Sequence, residues 1–297
     1  MAVAPRVSIG LPVFNGERFI EAAIRSVLES TFHDWELIIS DNASSDRTEA
    51  IARSFAEADP RIRYERNATN IGALPNFNRL IDRSRGEYFK WLAYDDLCGP
   101  DLLARCVEVL DEDPTTVLCN GRFREIDGHG DWIRDQLYTI DMTSSQPHRR
   151  LGELMRTDAG HPILYGLIRT EVLRRTHLLA PYHGSDRALL AELALFGRIR
   201  EIPEILWSSR EHPERSLYVR TSVAGWEQPG HHLPTHIAIA LNMIRIIGSA
   251  PLSRGDRIRS GIVLAASVVR RSAQLLPALG AEIRDVVRGG AARPPAG

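Results

Sequence analysis

The chain has 297 residues, 43% of them hydrophobic and 25% charged, the composition of an ordinary soluble protein able to bury one large core or two modest ones. Its formal net charge is −1, so no global basic field points to nucleic acid. The opening MAVAPRVSIGLPVF lacks the long apolar stretch of a signal peptide, and no run of ~18 apolar residues predicts a membrane span.

Val7 to Phe14 (VSIGLPVF) is a continuous apolar run, the pattern of a strand covered on both faces. Ile20, Ile24, Val27 and Leu28 then share a helical face. Trp35 to Asp41 (WELIISD) predicts a second buried strand, after which Asp46 or Ser45 caps a helix carrying Ala50, Ile51 and Phe55 that Pro60 closes. Ile62 to Tyr64 is a short third strand, Asn70 to Gly72 a turn, and Leu74 to Ile81 a helix. Tyr88 to Tyr94 (YFKWLAY) predicts a fourth buried strand with Asp95 and Asp96 at its carboxyl end. Strands alternating with helices imply βαβ units, hence an α/β fold with a mainly parallel sheet flanked by helices.

After Asp113-Pro114 the pattern changes. Val117 to Phe123 reads as a strand, and Asp127 to Ser145 as a polar, mobile loop near a site. Tyr165 to Arg169 is another strand, followed by helices around Val172 and from Ala188 to Phe196, and Ile202 to His212 holds a strand with a polar exit. Two helical segments, His236 to Ile247 and Arg257 to Leu276, precede a disordered GGAARPPAG. From Ile237 to Gly297 nine arginines face three acids, a local net of +6, which leaves −7 for the rest of a chain totalling −1. Cys98, Cys106 and Cys119 are odd in number and lack metal-ligand spacing, which fits free thiols in a reducing cytoplasm. Lys90 is the only lysine.

Adjacent Asp95 and Asp96 carry the first chemical signal. Ligands of open α/β sheets bind beyond the carboxyl ends of the strands, and neighbouring carboxylates call for a cation, most simply a hard divalent ion. The ordinary alternative is a cap on a helix starting near Pro100. Asp41 ends the second strand as Asp95 ends the fourth, so both face one crevice with the PVFNGE loop. There is no GxGxxG after the first strand and no GxxxxGK[ST], which argues against a dinucleotide fold or a P-loop NTPase.

Together, PVFNGE, DNASSDRT, NIGALPNFN and GEYFKWLAYDD resemble in order and spacing the inverting family 2 glycosyltransferases of GT-A fold, over roughly Val7 to Leu110. The resemblance implies a nucleotide-diphosphate-sugar donor, a divalent metal (Mg²⁺ or Mn²⁺) and a hydroxyl acceptor that is a glycan, lipid-linked or a small molecule. It implies a catalytic domain over 1–233, with a nucleotide-sugar half to about 115 and an acceptor half beyond, plus a helical extension over 234–297. Pro12, Val13, Asn15 and Glu17 match the block lining the nucleotide pocket. Asp41 matches the carboxylate that accepts from the nucleobase, with Ser44 and Asp46 in its loop. Asn70, Gly72 and Asn78 match the block leading to the metal strand. Tyr94-Asp95-Asp96 overlies the DxD region with Ala93 replacing the first Asp, which makes Asp95 the implied metal ligand and Asp96 a supporting carboxylate or sugar contact.

Gly184-Ser185-Asp186 resembles the position of the acidic catalytic base. Ser185 stands where Glu is commoner, so Asp186 is the implied base, with a helix cap as the alternative. Arg210-Glu211-His212 resembles the late Arg-x-His block, where His212 completes the metal site or meets the diphosphate and Arg210 meets phosphate. His161, Tyr165 and Arg169 are candidates for the acceptor site. The rivals are a nucleotidyltransferase on a related sheet and a non-catalytic sugar-nucleotide or glycan-binding module. Ile258, Ile262, Ala265, Val269 and Ser272, flanked by arginines, form a basic amphipathic face for an anionic membrane, for the catalytic domain or for a homodimer partner. The expected location is cytoplasmic, or peripheral at the inner face of a membrane.

Overall fold

Strand β1 (Val7–Val13) is buried at every position because it lies inside the sheet with partners on both sides. It pairs in parallel with β2 (Trp35–Asp41) and with β4 (Tyr88–Trp91), and β3 (Ile62–Arg66) extends the parallel set beyond β2. The register Val13↔Asp41 and Gly10↔Trp91 lines up the carboxyl ends of these strands along one edge. Helices α1 (Ile20–Leu28), α2 (Thr48–Ala58) and α3 (Ala73–Arg83) make the crossovers. The N-cap of α2 is Arg47 rather than the expected Asp46 or Ser45, but the Asp46 carboxylate accepts from the Thr48 N–H and so supports the start of the helix. The computed structural model describes residues 4–136, 139, 142–156, 162–180, 184–213 and 235–270. Expectations at Tyr138, at His161 and beyond residue 270 lie outside that set.

β4 is shorter than the predicted run. It stops at Trp91, and residues 94 and 95 form a turn after which β5 (Leu97–Cys98) begins. Helix α4 (Leu102–Glu112) starts only after Asp101. Neither Asp95 nor Asp96 therefore caps a helix, which removes the ordinary reading of that pair.

The second half holds β6 (Thr116–Ile126), β7 (Trp132–Asp135), α5 (Pro147–Arg156), a 3₁₀ turn (Pro162–Tyr165), β8 (Leu167–Arg169), α6 (Thr170–Leu173), α7 (Ser185–Phe196) and β9 (Arg198–Arg210). Strand order is β3-β2-β1-β4-β8-β6-β9-β5, with β7 against β6. β8 is antiparallel to both β4 and β6, which makes β6 run the same way as β4, and β9 is parallel to β6. The sheet is thus mixed but mainly parallel in direction: β1 to β4, β6 and β9 run one way, and β5, β7 and β8 run against them. The expected mobile loop is partly a hairpin: β7 pairs with β6, and the Asp127 carboxylate accepts from the N–H groups of His129 and Asp131. Further on, Met142 is buried and bridges to Ile199.

Two apolar clusters cover the two faces of the sheet. One gathers β1, α1 and α4 residues such as Leu11, Ile24 and Leu103. The other gathers Leu80, Leu154, Leu190 and Met243, from α3, α5, α7 and the helix α8 (Thr235–Ser249). A last helix, α9 (254–270), contributes Leu264 to the same cluster. Among the described residues no helix is long and apolar enough to cross a membrane. All three cysteines are free and buried. Lys90 is also buried, its ammonium donating to the carbonyls of Trp91 and Tyr165 at 3.1 and 2.8 Å, and burial pushes its pKa down.

Candidate functional site

The loops after β1 and β2 are built as one clasp. The Asn15 N–H donates to Ser44 Oγ, and the Asn15 amide oxygen accepts from the Ser45 N–H. The Glu17 N–H donates to Asp46, while the Glu17 carboxylate accepts from the Arg47 N–H. Gly16 N–H adds a bond to Thr48 Oγ1 at 2.8 Å. A left-handed backbone at Asn15 (φ 51°) and Ala43 (φ 64°) permits the two reversals; Asn tolerates that conformation, Ala does so less readily. Pro12 and Val13 are buried beneath the clasp, whereas Phe14 stays 45% exposed at the end of β1.

Asp41 is completely buried, its oxygens taken by the Ser44 N–H (2.8 Å) and the Tyr64 hydroxyl (2.6 Å), with Arg66 Nε at 3.7 Å. Burial, then the neighbouring Asp41, raises the Tyr64 pKa far above its ordinary value. Asn70 and Gly72 form the next loop, joined to the end of β2 by Asn42, whose amide donates to Asn70 Oδ1 and the Gly72 carbonyl. Asn67 and Asn76 extend this amide network to Ser40. Sequence reasoning passed over Asn42, Asn67 and Asn76. For Asn42 and Asn67 their place directly after a strand was the available signal, since short amides serve tight loops by bonding to backbone, whereas Asn76 lies within α3.

At the end of β4, Asp95 and Asp96 are both buried. His212, two residues past β9, places Nε2 at 2.9 Å from Asp95 Oδ2, and its ring lies 4.7 Å from that of Phe19. The Arg210 N–H donates to Asp96 Oδ1, and the Arg210 guanidinium donates to the carbonyls of Asp95 and Asp127 while lying over Phe19. Burial lowers its pKa, against the pull of Asp95 and Asp96. Arg210 is therefore a tie among three segments: β9, the Asp95-Asp96 turn and the β6–β7 hairpin. Arg18 and His212 flank Gly128 in that hairpin, so the expected covering loop does stand at the site. Tyr94 packs beside Gly16, where an added Cβ would approach its ring to 2.8 Å. Phe19 was also missed; an aromatic directly before an apolar helix reads as ordinary core.

Asp186 reaches the same edge by another route. α7 ends at the foot of β6, where the Arg198 N–H donates to the Thr115 carbonyl, so its first turn points to the opposite edge, the one holding Asp95. The N-cap is Gly184 in the left-handed conformation (φ 84°), and the Asp186 carboxylate accepts from the Arg187 N–H within the first turn. Ser185 is buried and Asp186 half-buried. Tyr165 precedes β8 at this same edge, its ring 6.3 Å from that of Trp207.

Two candidates go elsewhere. Arg169 pairs with Tyr88 at the start of β4, so it lies at the far edge, donating to the carbonyls of Leu110, Asp113 and Thr116. That corrects its assignment to the acceptor side. Asn78 clasps Leu179, donating to its carbonyl and accepting from its N–H. It thus holds the segment leading to Asp186, the packing role of an amide.

Among the described residues no three His, Cys, Asp or Glu side chains gather as a metal cage. The donor set is the pair Asp95–His212. Its 2.9 Å separation matches the roughly 3.0 Å between adjacent ligands of an octahedral ion bonded at about 2.1 Å. His212 Nδ1 is buried without a hydrogen-bond partner. The pair fits a small hard cation that draws its other ligands from phosphate and water.

The fold has counterparts. TarS 1–349 of S. aureus, solved in complex with UDP, superposes with a TM-score of 0.63 at 15% identity, covering 85% of this chain and 68% of that one. The mannosyltransferase PcManGT of Pyrobaculum calidifontis, in complex with GDP-Man and Mn²⁺, superposes with a TM-score of 0.52 at 16% identity, over 95% and 81% of the two chains. Likeness at such identity establishes the fold alone. In sequence, the putative teichuronic acid biosynthesis glycosyltransferase TuaG of Bacillus subtilis is 33% identical over 108 residues, 36% of this chain and 43% of TuaG. An uncharacterised glycosyltransferase of Rickettsia typhi is 34% identical over 109 residues, 37% of this chain and 33% of its own length. The matched segment spans less than half of these relatives. The model of the glycosyl transferase family 2 matches residues 8–176, more than half of the chain and nearly all of β1 to β4, so this chain belongs to glycosyl transferase family 2.

Proposed function

We propose that the chain transfers a sugar from a nucleotide-diphosphate donor to an acceptor hydroxyl with inversion, a hexosyl or deoxyhexosyl transfer in polysaccharide or glycoconjugate biosynthesis. The observation that carries this reading is the buried Asp95–His212 pair, set at the edge where the β1–β2 clasp closes and α7 begins. UDP in TarS and GDP-Man in PcManGT support a nucleotide-diphosphate donor.

Pro12, Val13, Asn15, Glu17, Asp41 and Ser44 form the nucleotide side, with Asn70 and Gly72 closing it. Asp41, already held by Tyr64 and Ser44, shapes this wall and keeps the base-facing loop rigid. Asp95 and His212 would hold a divalent ion, with Asp96 and Tyr94 beside the sugar and Arg210 fixing the turn that carries them. A Mg²⁺ or Mn²⁺ ion bound there would supply Lewis-acid neutralisation of charge on the departing diphosphate. The Asp186 carboxylate takes the proton from the acceptor hydroxyl as its oxygen attacks the anomeric carbon, from the face opposite the nucleotide. The β6–β7 hairpin excludes water from the donor. The acceptor approaches past Tyr165, within a catalytic unit spanning 1–233.

The test combines thermal-shift screening of nucleotide sugars with Mg²⁺ or Mn²⁺ and product analysis. A free nucleoside diphosphate and an inverted linkage are expected. Asp186→Asn is expected to lower turnover about 10²–10⁴-fold with donor binding retained. Release of pyrophosphate would instead identify a nucleotidyltransferase, and turnover untouched by Asp186→Asn would remove this base.

A further inference from the structure

Helix α9 wears its apolar side outward. Ser260, Leu264 and Ser267 face the domain, where Val263 packs over Gly152 of α5. On the opposite side Ile258, Ile262, Ala265 and Val269 recur at intervals of four, three and four, one narrow helical stripe. Ile258, Ile262 and Val269 are 57%, 63% and 68% exposed. The buried face thus carries two serines while the solvent face carries the branched aliphatics. α8 repeats the pattern, with Leu241 and Ile244 51% and 60% exposed. An exposed apolar surface of this kind marks an interaction site.

Charge selects the occupant. Arg254 adjoins the stripe on α9 and Arg245 the exposed side of α8, and among the described residues neither guanidinium has an acidic partner. The span from Ile237 to Gly297 carries +6 against −7 for the rest. A second copy meeting this stripe face to face would oppose these arginines with their own like charge. Anionic lipid headgroups would neutralise them while the acyl boundary received the aliphatic side chains.

Position ties the stripe to the site. The Arg187 guanidinium, next to Asp186, donates to the Leu154 carbonyl, and the Arg270 guanidinium at the end of α9 donates to the adjacent Met155 carbonyl. One turn of α5 therefore holds both the start of α7 and the end of the stripe.

We infer that α9 lays its outward stripe on an anionic lipid surface, with the rim that holds Asp186 at the level of that surface. This goes beyond the transfer reading and stands apart from it, since membrane contact needs neither donor nor metal. The experiment is co-sedimentation of the full chain with vesicles of phosphatidylglycerol and phosphatidylcholine, against phosphatidylcholine alone. The expected result is binding to the anionic vesicles that falls steeply with added salt. A combined Ile258→Ser, Ile262→Ser and Val269→Ser variant is expected to lower the partition at least tenfold with an unchanged thermal melt, because these side chains face outward. Arg254→Gln with Arg245→Gln is expected to lower it severalfold and flatten the salt dependence. No sedimentation at low salt, or sedimentation unaffected by the triple variant, overturns the inference. So does a stable dimer abolished by Ile262→Glu in a chain that ignores vesicles.

Discussion

Asp95 and His212 are 117 positions apart in sequence yet 2.9 Å apart in space, and each is the other's main polar contact. Cutting the pair at His212 leaves Asp95 buried beside Asp96 without its imidazole partner. His212→Ala is expected to weaken Mn²⁺-dependent donor binding 10-fold or more, read by titration calorimetry with and without the ion; equal affinity in both states would show that the pair holds no metal. A different buried carboxylate, Glu36, tests stability alone. It accepts from Ser8 Oγ, the Arg85 N–H, and the guanidinium groups of Arg85 and Arg63. Burial pushes its pKa up, but the bonds from Arg85 and Ser8 outweigh that and the net shift is downward. A carboxylate lowered in the folded state stabilises above its unfolded value of about 4.3 and loses that contribution as pH falls through the folded value. Glu36→Gln is therefore expected to cost about 1–3 kcal/mol at pH 7, with the deficit shrinking below about pH 4, as urea titrations at the two pH values would show.

Elements place what residues alone do not. The alternation of strands and helices up to Asp95 was legible because each strand is an apolar run bounded by polar loops, and burial on both faces leaves no other pattern. The antiparallel entry of β8 between β4 and β6 was not, since a three-residue strand carries no local mark of its partner's direction. For the same reason Arg169 looked like a site residue. Its position depends on which way β8 runs, and the run places it at the far edge, among the carbonyls that end α4. Asp41, Asp95 and Asp186 were readable as strand-end and helix-start carboxylates. The meeting of His212 with Asp95 was implied only by the family resemblance, and the three-way tie at Arg210 required tertiary structure, because nothing within β9 specifies what its exit meets. Asn78 yields a test at this level. Removing its double clasp on Leu179 loosens the approach to Asp186 without touching the donor side. Asn78→Ala is expected to lower kcat more than donor affinity, by about tenfold, while an equal loss in both would assign the amide to the donor pocket.

Across the whole molecule, the boundary expected near residue 234 does not separate independent cores. Met243, Ile246, Ile247 and Ala250 of the last segment sit in the same apolar cluster as Leu154 and Leu190. Each large side chain among them contributes about 1.5–3 kcal/mol on burial. Truncation at 234 is expected to destabilise the remainder by on the order of 5 kcal/mol, visible as a lower melting temperature or insolubility. A truncated chain with an unchanged melt would show that the extension only decorates the catalytic unit.

The one lysine, sealed within β4, turns this chain into its own opening gauge. Every other basic side chain apart from histidine is an arginine, so an amine-directed acylating reagent finds a single ε-amine, and that amine reacts only when the strand beneath Asp95 comes away from its neighbours. Mass-spectrometric acylation of Lys90 over time would thus time the exposure of one strand, with bound donor expected to slow it.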